Sequence, residues 1–239
     1  MNKGKRALMI ISAMLLLTAL AFVAYFVFRV REVAVMGCET LDANAVVQVS
    51  GLEYGQNIFL LDKQSVMDRL ADDPRIKPVS VEPEYPDRVV ITIEERRTAA
   101  YIEKNGLLIV IDDEGWILEV RTQSAGDEHP MIYGLQADAF EVGQPLCSGD
   151  LFRVDVMTRV LGAAEAASIG LLSLDVTLPA DIMITTTDGL TVELGDDMRL
   201  DAKFDLINAS AKEIKTMGIE CGILDVSSVN QAYFREKSS

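Results

Sequence analysis

Residues 73–96 read DPRIKPVSVEPEYPDRVVITIEER. Val79 and Val81 alternate with polar neighbours in the first half. In the second half Val89, Ile91 and Ile93 alternate with Val90, Thr92 and Glu94, and Tyr85-Pro86-Asp87 stands between the halves. An apolar period of two is that of a strand with one face buried. The stretch therefore predicts two antiparallel strands joined at the Tyr-Pro-Asp turn.

The residues before the hairpin supply what it needs to form a core. Glu32 to Met36 alternates around Val33 and Val35 and stops at Gly37. Leu41 to Val49 places Ala45, Val46 and Val49 on one helical face, closed by Ser50-Gly51. Asp62 is positioned to cap a second helix running to Asp72, with Val66, Met67 and Leu70 at helical spacing, and Pro74 forbids its continuation. Residues 32–97 thus predict an α+β domain, a three-stranded sheet with two helices on one face, in which each amphipathic element buries its apolar side.

Residues 98–235 predict a second, β-rich domain with helices on one side, and 236–239 a polar tail. Tyr101-Ile102 and Leu107–Ile111 flank a turn at Lys104-Asn105-Gly106, and Asp113-Glu114-Gly115 turns the chain into Trp116–Val120. Leu151 to Ile169 reads as a helix with Val154, Val156, Met157, Val160, Leu161 and Ala164 as its stripe. Ile182 and Ile184 lead to Asp188-Gly189, a strong hairpin signal, and Leu190, Val192 and Leu194 return. A helix over Leu200–Met217 is followed by strands over Gly222–Val226 and Ala232–Arg235.

Residues 7–28 carry no charge. As a helix they extend roughly 33 Å, enough for a hydrocarbon core of about 30 Å. Ala19-Leu20-Ala21 resembles a signal-peptidase site, but the apolar run continues through Phe28, which a signal peptide would not do. Val35-Met36-Gly37-Cys38 resembles a lipidation box, but Arg29, Arg31 and Glu32 part it from the apolar run. Lys3, Lys5 and Arg6 hold the first six residues in the cytoplasm, so residues 32–239 are expected outside the cell membrane. No small-xxx-small pair in the span points to a tight helix dimer.

Residues 1–31 hold five basic residues and no acidic one, which leaves 17 basic against 37 acidic in the remainder. A net charge near −20 argues against wide phosphate-reading surfaces and hence against nucleic acid as a partner. Cys38, Cys147 and Cys221 are odd in number and show no CxxC spacing, so they do not form a disulfide framework. A single histidine, His129, excludes histidine-based triads and multi-histidine metal sites. Asp112-Asp113-Glu114 lacks the spacing of a calcium loop and reads as a solvated turn, and Gly51-x-x-x-Gly55 lacks the Lys-Ser or Lys-Thr of a phosphate loop. Asn208-Ala209-Ser210 matches a glycosylation acceptor but falls in a helical pattern. No catalytic, cofactor-binding or metal residue is assigned, and elimination points to binding.

The ordered motifs resemble a known family. VREVAVMGCETLDANAVVQVSGLEYGQNIFLLD and LADDPRIKPVSVEPEYPDRVVITIEERRTAAYI are similar to the polypeptide-transport-associated (POTRA) domain of bacterial cell-division proteins of the FtsQ/DivIB family. LLIVIDDEGWIL, HPMIYGL, TVELGDDMRLDAKFDLI and GILDVSS resemble that family's β domain in the same order. Thr98, where the family usually has proline, and Glu82, at a commonly basic position, depart from the pattern.

The resemblance implies a non-enzymatic, single-pass scaffold at the division septum. It holds FtsB/DivIC-type and FtsL-type partners and helps regulate septal peptidoglycan synthesis. By the same resemblance a partner strand would lie along Gly222, Ile223, Leu224, Asp225, Val226 and the following Ala232, Tyr233 and Phe234. Tyr233 and Phe234 either anchor that strand or close the core of a terminal strand. Lys203, which matches a family lysine, either faces the partner or caps a neighbouring carboxylate. Glu95 and Arg96 are expected to hold the junction between the domains. An export or assembly chaperone using the same strand-addition surface is the rival reading; a cell-wall hydrolase using paired carboxylates is a further one.

Overall fold

The computed structural model describes residues 3–122, 129–135, 141–146, 151–217 and 222–236. The chain divides into two units, Met1–Glu95 and Arg96–Ser239.

The first unit begins with helix α1, Lys3–Val27. Its stretch Met9–Val27 has a mean hydropathy of 2.5, is nowhere buried, and is long and apolar enough to cross a membrane. Strand β1 (Glu32–Met36), helix α2 (Ala43–Ser50), a 3-10 turn (Ile58–Leu60), helix α3 (Lys63–Ala71) and strands β2 (Ile76–Glu84) and β3 (Arg88–Glu95) follow. Local chemistry sets the helix ends. The Asp42 carboxylate accepts from the Asn44 N–H and that of Asp62 from the Ser65 N–H, both at 3.1 Å. Gly51, at φ +64°, closes α2.

The sheet order is β1-β3-β2, with β1 parallel and β2 antiparallel to the central β3. Val89, Ile91 and Ile93 of β3 are buried against Val46, Val66, Leu70 and Ile58. The hairpin departs from the predicted alternation at Val79, which is exposed while Val81 is buried. Register slips between Pro78 and Ser80. Pro78 has no N–H to offer the ladder, so a bulge forms and turns Val79 outward as the extra residue.

Among the described residues the second unit forms a nine-stranded sheet with two helices. Its elements are β4 (Ala100–Lys104), β5 (Leu107–Ile111), β6 (Ile117–Arg121), β7 (Met131–Tyr133), α4 (Leu151–Ala166), β8 (Leu171–Asp175), β9 (Ile182–Thr186), β10 (Leu190–Gly195), α5 (Leu200–Thr216), β11 (Gly222–Asp225) and β12 (Tyr233–Glu236). The spatial order is β12-β11-β10-β9-β8-β7-β4-β5-β6. Val156, Met157, Val160 and Ala164 of α4 share a single core with Leu200, Phe204 and Ile207 of α5 and the inward residues of the sheet. Tyr101, Leu108 and Val110 form a small separate cluster. The fold is α+β, as the sequence predicts.

Strands β7 and β8 are additions to that prediction. Helix α4 ends at Ala166, short of Ile169, because Ser168 turns at φ +57°, and β8 starts soon after. Asp112 departs from the expected solvated turn: it is buried, and its carboxylate accepts from the Arg96 guanidinium and from the Glu114 and Trp116 amides. Arg96 in turn lies 4.3 Å over the Trp116 ring. Desolvation raises the Asp112 pKa against these hydrogen bonds. Glu95, expected with Arg96 at the domain junction, instead binds within the first unit: its carboxylate accepts from the amides of Glu39, Thr40 and Leu41 and from the Thr40 hydroxyl. Asn208 donates to the Ala167 carbonyl, tying α5 to the end of α4.

Candidate partner-binding edge

The last two strands form one margin of the large sheet. Strand β11 runs parallel to β10, with Leu190, Thr191, Val192 and Glu193 opposite Gly222, Ile223, Leu224 and Asp225. Strand β12 runs antiparallel to β11, pairing Gly222 with Glu236, Ile223 with Arg235, Leu224 with Phe234 and Asp225 with Tyr233. The turn between them is made by Asp225, whose carboxylate accepts from the Ser227 amide at 2.9 Å. The Ser227 side chain and amide hold the Asp225 carboxyl below its ordinary pKa.

This topology corrects the expected docking line. Gly222, Ile223, Leu224 and Asp225 are hydrogen-bonded on both sides, so β11 has no edge to offer. Val226 is buried, and its N–H is spent on the Glu193 carbonyl at 2.9 Å. Of these two strands, β12 is the one that leaves an edge open among the described residues. At the opposite margin, β6 is engaged at its start: the Ile117 amide donates to the Gln144 carbonyl and the Ile117 carbonyl accepts from Gly143. Among the described residues no backbone group outside β11 hydrogen-bonds to the backbone of β12.

Alternation assigns the two aromatic residues different roles. Phe234 shares a face with Leu224 and Val192 and packs on the core. It closes the margin rather than projecting from it. Tyr233 lies on the other face, 59% exposed, and its hydroxyl donates to the Gln231 side chain at 2.6 Å. Arg235 shares the face of Tyr233, and its guanidinium donates to both carboxylate oxygens of Glu193 at 2.7 Å. The sequence reading did not single out Arg235 and Glu193 as a pair, although the period of two puts Arg235 beside Tyr233. The parallel β10–β11 pairing that brings Glu193 within reach leaves no local signal.

Lys203 takes the second of its two expected roles. It is 2% exposed, and its ammonium donates to the Asp196 carbonyl at 2.8 Å and to the Asp196 carboxylate at 2.7 Å. This bond holds the Asp196 carboxyl below its ordinary pKa. The ammonium is turned into the fold. Among the described residues no three His, Cys, Asp or Glu side chains gather as metal ligands.

A family model described as "POTRA domain, FtsQ-type" matches residues 28–96, the sheet-and-helix part of the first unit. The chain is similar to the cell division protein DivIB of Clostridium tetani, 25% identical over 133 residues that cover 56% of this chain and 50% of that protein. It is similar also to the cell division protein FtsQ of Corynebacterium glutamicum, 30% identical over 128 residues, 53% of this chain and 58% of that protein. The chain carries a POTRA domain of the FtsQ type over residues 28–96 and is similar to cell division proteins of the FtsQ/DivIB family. Its match spans about half the length of these relatives of the FtsQ/DivIB family. The solved extracytoplasmic domain of DivIB from Geobacillus stearothermophilus aligns with 52% of the chain and 97% of its own length, at 16% identity and a TM-score of 0.32.

Proposed function

We propose that this protein is an FtsQ/DivIB-type, non-enzymatic scaffold of the bacterial division machinery that captures its partners by strand addition. It crosses the cell membrane once, with the N-terminus in the cytoplasm and the bulk outside at the septum. Its partners are FtsB/DivIC-type and FtsL-type proteins, and through them it helps regulate septal peptidoglycan synthesis. The observation that carries this reading is the open edge of β12. Unpaired N–H and C=O groups on an edge strand are a template for another chain, and main-chain pairing needs no catalytic residue. Arg235 and Glu236 keep the edge charged, which discourages indiscriminate pairing and reserves it for a complementary segment.

The test uses the alternation of a strand. Phe234→Pro and Arg235→Pro remove N–H groups that point to opposite sides of β12, one towards β11 and one outward. The variant that keeps a cooperative melting transition has lost only an outward donor. In that variant, affinity for the extracytoplasmic segment of the host's FtsB/DivIC-type protein should fall about tenfold or more. Unchanged affinity in the folded variant contradicts strand addition at β12. Equal capture of unrelated unfolded segments by the native protein would favour a chaperone instead.

A further inference from the structure

The exposed apolar surface of the first unit includes a cluster at one end of its sheet, beside the end of helix α1. Phe59, Leu60 and Tyr85 are 60%, 81% and 58% exposed. Their rings are organised: Phe28 lies 4.9 Å from Phe59, and Phe59 stacks on Tyr85 at 5.3 Å. An ordered aromatic and aliphatic cluster open to solvent is the kind of patch that marks an interaction site.

Its position in the chain says what covers it. Phe28 follows the last residue of α1, and its amide still donates to the Ala24 carbonyl at 3.0 Å. The loop carrying Phe59 is tied to this junction by three backbone bonds. Ile58 donates to the Phe28 carbonyl, Val30 to that of Gln56, and Gly55 to that of Val30, at 2.7–2.9 Å. The hairpin turn bearing Tyr85 is held to the same place, because the amides of Arg31 and Glu32 both donate to the Asp87 carbonyl. A span ending at Val27 therefore sets the cluster at the level of the lipid headgroups. Arg29, whose guanidinium lies 4.6 and 4.7 Å over the Tyr25 and Phe26 rings, has the side-chain type that anchors at this depth.

We propose that Phe59, Leu60 and Tyr85 form a membrane-docking foot on which this domain rests in the outer surface of the bilayer. The inference rests on reading α1 as a membrane span. Of the neighbouring charges, Arg31 pairs with Asp87 and Arg88 with Glu84 and Glu32, and the exported part is strongly acidic. The foot is therefore held by insertion of apolar groups, and it docks on zwitterionic lipid without needing anionic headgroups.

The test uses the full chain in phosphatidylcholine vesicles, in a Trp116→Phe background, with a single indole introduced by Leu60→Trp or by Met36→Trp. Met36 is exposed at the far end of β1, about 13 Å along the strand from Glu32. Insertion to ~5–10 Å brings the indole near acyl-chain bromines, so emission of the Leu60→Trp protein should fall about twofold or more in brominated vesicles. Emission of the Met36→Trp protein should not change, and 0.5 M salt should leave both results intact. Vesicle flotation separates the two readings: protein that fails to float removes the span and the foot together. Protein that floats while Leu60→Trp emission is unquenched, or while both positions are quenched equally, overturns the foot and leaves the span standing.

Discussion

The ring of Phe234 lies over the α-carbon of Gly222: a Cβ built there would stand 2.3 Å from the phenyl Cζ and 2.4 Å from Cε2. The open edge strand settles onto β11 because its neighbour lacks a side chain. Gly222→Ala must push the ring outward, an overpacking that costs about 1–3 kcal/mol. The expected result is a lower unfolding midpoint together with faster hydrogen exchange across Tyr233–Glu236 than across β9 and β10. Equal protection in the variant and the native protein contradicts this account of the margin.

The Lys203–Asp196 pair predicts an asymmetry. Lys203→Met keeps the buried stem and leaves Asp196, whose side chain is 54% exposed, to water, so it should cost less than about 1.5 kcal/mol. Asp196→Ala strands a buried ammonium with only a carbonyl acceptor and should cost about 1–3 kcal/mol. Urea denaturation of both variants gives the order; the reverse order contradicts it. Partner affinity should be unaltered by Lys203→Met, because the ammonium faces inward.

Acid should weaken the first unit through Glu95. Its hydrogen bonds, from the Thr40 hydroxyl first and then from the amides of Leu41, Glu39 and Thr40, hold its pKa down at about 2, against an ordinary value of 4.5. A carboxylate with a depressed folded-state pKa contributes stability that is fully present above about pH 4.5 and is lost as pH falls through about 2. Glu95→Gln should therefore be less stable than the native protein at neutral pH, and the gap should close between about pH 4.5 and 2. A gap that stays constant over that range excludes this role for Glu95.

The elements that the sequence discloses are those with local signals. Period-two alternation in β3, the caps at Asp42 and Asp62 and the Asp188-Gly189 turn each act within a few residues, and the structure builds the corresponding elements. Strands β7 and β8 lack such signals. One is three residues long, and the other follows a helical stripe whose apolar residues run on to Ile169. The candidate site divides in the same way. That Gly222–Asp225 and Tyr233–Glu236 are strands follows from pattern, but which of them keeps an open edge depends on the parallel partner β10, some thirty residues earlier in the chain. The inward course of Lys203 is equally non-local in origin, fixed by where α5 packs rather than by its neighbours in sequence.

The central claim is that β12 is the surface on which a division partner pairs. Its most direct test is photo-crosslinking of the full-length protein in dividing cells, with p-benzoylphenylalanine at position 233 on β12 or at position 119 on β6, the other margin of the sheet. Tyr233 and Glu119 both have exposed side chains, so each substitution leaves the core intact. The predicted result is a covalent product with the FtsB/DivIC-type protein from position 233 and none from position 119. A product from position 119 alone, or from neither, would contradict strand addition at β12.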